Sequence, residues 1–222
     1  MTLLELRQLV SGYVDDVDNG YFTTSDVDTY LNLAMQEVQK LVLQAFEDMW
    51  IKCVETTIFI NQIDYQLPED FKKLNRLDIV IQPGTPQNEI TNQLTKITRN
   101  QQNAVNNANY NNGYPTVYYF TNNSLTIRPV PTTQVTMRMN YTYSIPDMVL
   151  DSDSPDIPKE YQDFGAVLAA ITCLTRDGRL SQTLIDKKNY YEKQIKRDAE
   201  QRNIDSPRTV VQTVADDTGW MW

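Results

Sequence analysis

Val54-Glu-Thr-Thr-Ile-Phe-Ile-Asn-Gln-Ile-Asp-Tyr-Gln-Leu-Pro-Glu-Asp-Phe71 decides the fold. Val54, Thr56, Ile58 and Ile60 alternate with Glu55, Thr57 and Phe59. A period of two in β-branched residues predicts a strand with one buried face. Leu77, Ile79 and Ile81 repeat the pattern in a second strand. Pro68 lies between them and cannot donate a ladder hydrogen bond, so pairing stops near it. Tyr65, Leu67 and Phe71 then fold back and close the end of the sheet.

Further strands follow downstream. Tyr114-Pro-Thr-Val-Tyr-Tyr-Phe120 leads into Thr121-Asn-Asn123, a hairpin turn because Asn tolerates positive φ. Ser124 to Arg128 is the return strand, and Pro129 and Pro131 interrupt pairing. Val135, Met137, Met139, Tyr141 and Tyr143 alternate with polar residues in the cleanest strand pattern of the chain. Residues 54–143 thus predict roughly five strands, mostly antiparallel because tight turns join several of them. Between the halves, nine Asn and four Gln occupy thirteen of the thirty positions 84–113. Asn favours turns over ladders, so this reads as a polar surface excursion. Leu94, Ile97 and Val105 leave room in it for a short helix, and an arm reaching a neighbour is its functional reading.

Helical periods flank the strands. Leu3, Leu4, Leu6, Leu9 and Val10 suit a first helix ending between Gly12 and Val14. Asp15-Asp-Val-Asp-Asn-Gly20 is an ordinary turn, since Val17 falls where a calcium loop needs an oxygen. Ser25 is the expected cap of a second helix, with Asp26 and Asp28 in its positive first turn. Its apolar stripe runs from Val27 to Met49. After the acidic connector 151–156, Pro158 suits a helix start and Gly178 its stop. Ser181 caps a last helix carrying Leu184, Tyr191, Ile195 and Ala199, with Glu192–Lys196 and Asp198–Arg202 as supporting pairs. The expected class is α+β: two N-terminal helices (1–50) and two C-terminal helices (146–202) packing as one unit. A β domain (51–145) is inserted between them, and an extended tail (203–222) follows.

Composition excludes several functions. The chain has 222 residues, is 41% apolar and contains no histidine. The commonest general base and metal ligand are therefore missing, and no glycine-rich phosphate loop is present. Cys53 and Cys173 lack zinc-site spacing and read as two reduced, buried thiols. Asp147, Asp151 and Asp153 are near one another in an exposed connector, which explains them better than catalysis does. There is no membrane-length apolar run and no secretory signal at the start. No catalytic residue, cofactor or metal is expected. Net charge is −9, of which the first fifty residues carry −7. Such a surface does not seek phosphate backbones; it reads first as an ordinary solvated acidic face, and as a surface that lets DNA pass without sticking in the sharper reading.

Tyr65-Gln-Leu-Pro-Glu-Asp-Phe71, then Tyr114-Pro-Thr-Val-Tyr118, then Leu125-Thr-Ile-Arg-Pro-Val-Pro131 recur in that order between helical ends. Over residues 1–200 this resembles the head-to-tail adaptors of tailed bacteriophages, also called connector or neck ring proteins. Tyr65, Leu67, Pro68, Asp70, Phe71, Tyr114 and Pro115 are the fold-determining residues of that pattern. The Asn/Gln-rich insert and the Trp-Met-Trp end depart from it. Low Gly with high Asn and Tyr resembles proteins of phages of AT-rich hosts, the crAss-like group and its ring protein. The resemblance implies a structural virion protein forming a homo-oligomeric ring, commonly of twelve copies. The portal protein would sit above it and the next neck or tail protein below, with double-stranded DNA passing through. Assembly would take place in the host cytoplasm, with no membrane. Within the tail, Val210, Val211, Val214, Trp220, Met221 and Trp222 are the expected portal interface, because Trp buries much area with few torsions. The alternatives are a head-completion or tail-terminator ring, or a carbohydrate-binding β module displaying Tyr118 and Tyr119.

Overall fold

The computed structural model describes residues 1–15, 21–82, 90–101, 113–179 and 181–204. Among them are four α-helices: α1 (Leu3–Val14), α2 (Thr24–Ala45), α3 (Lys159–Arg176) and α4 (Gln182–Ile204). Eight strands lie between α2 and α3: β1 (Ile51–Ile58), β2 (Asp64–Gln66), β3 (Phe71–Gln82), β4 (Ile90–Gln93), β5 (Thr95–Lys96), β6 (Val117–Thr121), β7 (Ser124–Arg128) and β8 (Val135–Tyr143). The α+β class holds, but the strand number exceeds the roughly five expected. The strands form two four-stranded sheets, ordered β1-β8-β3-β4 and β2-β7-β6-β5. Every pair is antiparallel except β5 with β6.

Local chemistry explains the helix ends. Thr2 and Glu5 form a reciprocal capping box on α1. Thr23, not Ser25, caps α2: its Oγ accepts the Asp26 N–H at 3.2 Å. α2 also stops at Ala45, short of Met49. Helix α3 ends in a Schellman motif, with Gly178 at φ +71°. The Gly178 N–H donates to Thr175 O at 3.1 Å and the Arg179 N–H to Leu174 O at 2.9 Å.

Two hydrophobic clusters result. One gathers Leu6, Leu31, Val38, Phe164 and Ile195 from the four helices, with Ile145, Met148 and Ile157 from the connector. The other lies between the sheets, where Ile58, Leu77, Ile79, Met137 and Met139 of one face Tyr65, Leu125 and Ile127 of the other. Leu94 joins this second core at 3% exposure. Part of the polar segment 84–113 is therefore strand, and its described helical turn is a short 3₁₀ turn, Arg99–Gln101. The alternation read from Val54 onward ends at Ile58; Phe59 and Ile60 are exposed in the turn that follows. The two-residue turn Asn122–Asn123 closes the β6–β7 hairpin, with Asn122 at φ +51°.

Helices α2 and α3 approach closely at Gly165. A Cβ there would sit 2.5 Å from both Sδ and Cε of Met35, itself 2% exposed. Gly165→Val is expected to lower stability by about 1–3 kcal/mol through overpacking, read as a fall in urea midpoint at unchanged m.

Candidate assembly interface

The two units join at a polar seam, and a motif residue, Asp70, anchors the end of the sheet beside it. Asp70 is the penultimate residue of the Tyr65–Phe71 segment, and its carboxylate accepts the Tyr141 hydroxyl at 2.7 Å and the Lys52 ammonium at 2.9 Å. Its carbonyl accepts the Ser144 N–H at 2.7 Å. These donors hold the Asp70 carboxyl below its ordinary pKa, Lys52 contributing most. Phe71 packs against Phe120 and Tyr141, ring centroids 5.9 and 5.5 Å away, and so bridges the two sheets. Tyr65 is buried, and its hydroxyl accepts the Phe59 N–H at 3.2 Å and donates to Gln62 O. The Leu67 N–H donates to Asn123 O, and the Phe71 N–H to Pro68 O at 3.0 Å. Tyr114 packs on the sheet core beside a buried Pro115.

From the helical side, fully buried Gln39 donates to Tyr143 O at 2.8 Å and accepts from Lys72 Nζ at 2.6 Å. Burial, with Lys40 nearby, lowers the Lys72 pKa. The Trp50 indole donates to Asp156 O at 2.6 Å, although Trp50 sits at φ +56°, where L residues are uncommon. The Tyr143 hydroxyl donates to Asp156 Oδ2 at 2.6 Å; that bond, then burial, pushes its pKa up to about 12.

The candidate carboxylates do not converge. Asp147 accepts from Gln36, Asp151 from Arg7, and Asp153 from the Val149 and Leu150 N–H groups. Among the described residues no cluster of acids or cysteines fits a metal ion, and no helix is long and apolar enough to cross a membrane. Cys173 is buried, but Cys53 is exposed on β1, against expectation. Among the described residues its strand has a neighbour on one side only. Tyr119 is buried rather than displayed, and Tyr118 is half-buried, which removes the aromatic surface that favoured a carbohydrate module.

Exposed apolar residues cluster instead in two places. Val149 (76% exposed) and Leu150 (63%) stand beside Leu4, whose N–H donates to Asp151 O. At the far end of β1, about 23 Å from Ile51, Phe59 and Ile60 are exposed, and the next residue, Asn61, donates to Pro131 O beside exposed Val130. A groove of about 450 Å³ also runs between α2 and α4, floored by Leu41, Ala45, Ile195 and Ala199. No sequence period distinguishes these exposed residues from core ones. The tail residues Val210, Val211, Val214, Trp220, Met221 and Trp222 lie outside the described residues.

Among the described residues of this α+β chain the acids and cysteines do not converge on a site, and apolar side chains are exposed in two places, as in a protein that docks on others. The family comparison gives the particular identity: the model of the SU10 adaptor protein family matches residues 1–213, and the chain belongs to that family of phage adaptors. No curated protein matches the chain.

Within the helical unit, Asp163 accepts from Tyr13 at 2.7 Å, from Tyr191, and pairs with Lys187 at 2.9 Å. Burial alone would raise the Asp163 pKa; the tyrosines and Lys187 outweigh it and hold it low. This carboxylate therefore stabilises the fold above its unfolded pKa, and the contribution is lost as pH falls through its lower folded value. Asp163→Asn is expected to cost about 2 kcal/mol at pH 7. The difference from wild type should shrink toward pH 3 in urea titrations.

Proposed function

We propose that this adaptor assembles as a ring of twelve copies beneath the portal, extends the DNA channel, and presents its lower rim to the next neck or tail protein. The family match over residues 1–213 carries this reading. The exposed apolar residues at both ends of the subunit support it, since large exposed apolar surface marks interaction sites. Helices α2, α3 and α4 pack into the ring. Exposed acids on the first two helices and just after them, Glu5, Glu37, Glu47 and Asp48, face the channel and keep DNA sliding. The tail 203–222 orders on the portal, with Val210, Val211, Val214 and Met221 flanking the anchors Trp220 and Trp222. The protein acts by fit, not catalysis, as a virion component assembled in the host cytoplasm. High Asn and Tyr content supports a phage of the crAss-like group. A head-completion or tail-terminator ring is the second reading, and it would lack portal attachment through the tail.

Deleting residues 205–222 is expected to reduce co-purification with the portal at least about tenfold while leaving the thermal midpoint within a few degrees. Undiminished portal attachment would refute the tail assignment, and a basic channel wall in an assembled neck would refute the acidic lumen.

A further inference from the structure

Strand β1 is an edge strand: it pairs with β8 on one side and with no described strand on the other. Its eight residues run in unbroken register, without bulge or proline. Long regular edges are templates for another strand, and proteins blunt them with charges, bulges or prolines. The charges on β1 do not serve that end. Lys52 is held by Asp70 at 2.9 Å and Glu55 by Arg138 at 2.7 Å, both turned back onto the subunit's own residues.

The opposite edge of the same sheet is β4. Directions alternate through β1, β8, β3 and β4, so the two edges run opposite ways. A copy related by rotation about an axis along the strands brings its β4 antiparallel to β1 of its neighbour, which continues the alternation. The ladder also sets the levels. Glu55 lies opposite Arg138, Arg138 opposite Asp78, and Asp78 opposite Gln93. Thr57, Thr136, Val80 and Thr91 form the next such row. In level register β1 would therefore meet β4 through Glu55 with Gln93, Thr56 with Asn92 and Thr57 with Thr91. No like charges face each other, and Thr–Thr is a favourable cross-strand pair. Four strands about 4.8 Å apart make a sheet about 19 Å wide, and twelve edge to edge close a circle roughly 73 Å across.

We propose that β1 of each copy takes β4 of the next copy as an added antiparallel strand, so that one continuous sheet joins the ring. This rests on the ring reading above and adds a strand pairing to the helical contacts between copies. The test uses necks from phage carrying Thr57→Cys with Thr91→Cys, in a Cys53→Ser background, under mild oxidation. Glu55→Cys with Gln93→Cys is a second pair, and Asn92→Cys with Thr57→Cys is a control whose thiols lie on opposite faces. The expected result is a ladder of disulfide-linked multimers, at least about tenfold above either single variant and above the control. Rings visible in particle images without a ladder from either pair would overturn the strand pairing and leave the ring standing. Crosslinked dimers from Thr57→Cys alone would mean two β1 edges meet about a two-fold axis, which also overturns it. Necks holding no ring of this protein would overturn both.

Discussion

Two hydrophobic cores meet across a seam of hydrogen bonds, and that seam decides where every exposed surface of this adaptor points. Gln39 and Asp156 are its two hubs: Gln39 donates to Tyr143 O and accepts from Lys72, and Asp156 accepts from Trp50 and Tyr143. An apolar seam would let the units slide, because hydrophobic contact is not directional. Hydrogen bonds at 2.6–2.9 Å between fixed groups admit one arrangement. Leaving one partner unmade costs the desolvation of the other, of order 1–3 kcal/mol. The helical unit and the sheets are therefore held in one arrangement.

Much of this was legible wherever the deciding contacts are local. The Asn122–Asn123 turn, the alternation of β8 and the Gly178 stop each depend on residues within a few positions. The cap of α2 was misplaced because Thr23, Thr24 and Ser25 all carry hydroxyls, and only backbone geometry selects among them. Three strands were missed for a different reason. β2, β4 and β5 are three, four and two residues long, and no period can be read in so few positions. Leu94 lies among Asn, Gln and Thr, yet the fold buries it because β4 and β5 flank it on either side. Cys53 shows the complementary limit: alternation reports the faces of a strand but not whether it lies at an edge.

The candidate interface was less legible than the fold. Val149 and Leu150 look like core residues by type, and they are exposed because Asp153 fixes the backbone beneath them by accepting both N–H groups. Asp151, in the same turn, is drawn to Arg7 on α1, which also holds Asp28 on α2. Three charges thus staple the connector to both N-terminal helices while the apolar side chains face out. Acids that composition alone presents as a solvated cluster are individually committed to shaping this loop.

The distribution of charge follows the same logic. In the proposed channel an acidic protein gains by keeping basic groups occupied, since free Lys and Arg would bind phosphates and release counterions. Arg7, Lys52, Arg138, Arg176 and Lys187 each have a carboxylate partner within the subunit. Individually such surface pairs contribute little stability. Their greater effect is on specificity: a cation already satisfied by its own fold gains less from a phosphate, so DNA in the proposed channel would meet fewer attractive sites. Lys72 follows the same course without a carboxylate, half-buried against Gln39 with its pKa lowered by burial. The placing of loops such as the connector and the proposed indifference to nucleic acid thus draw on one set of ion pairs.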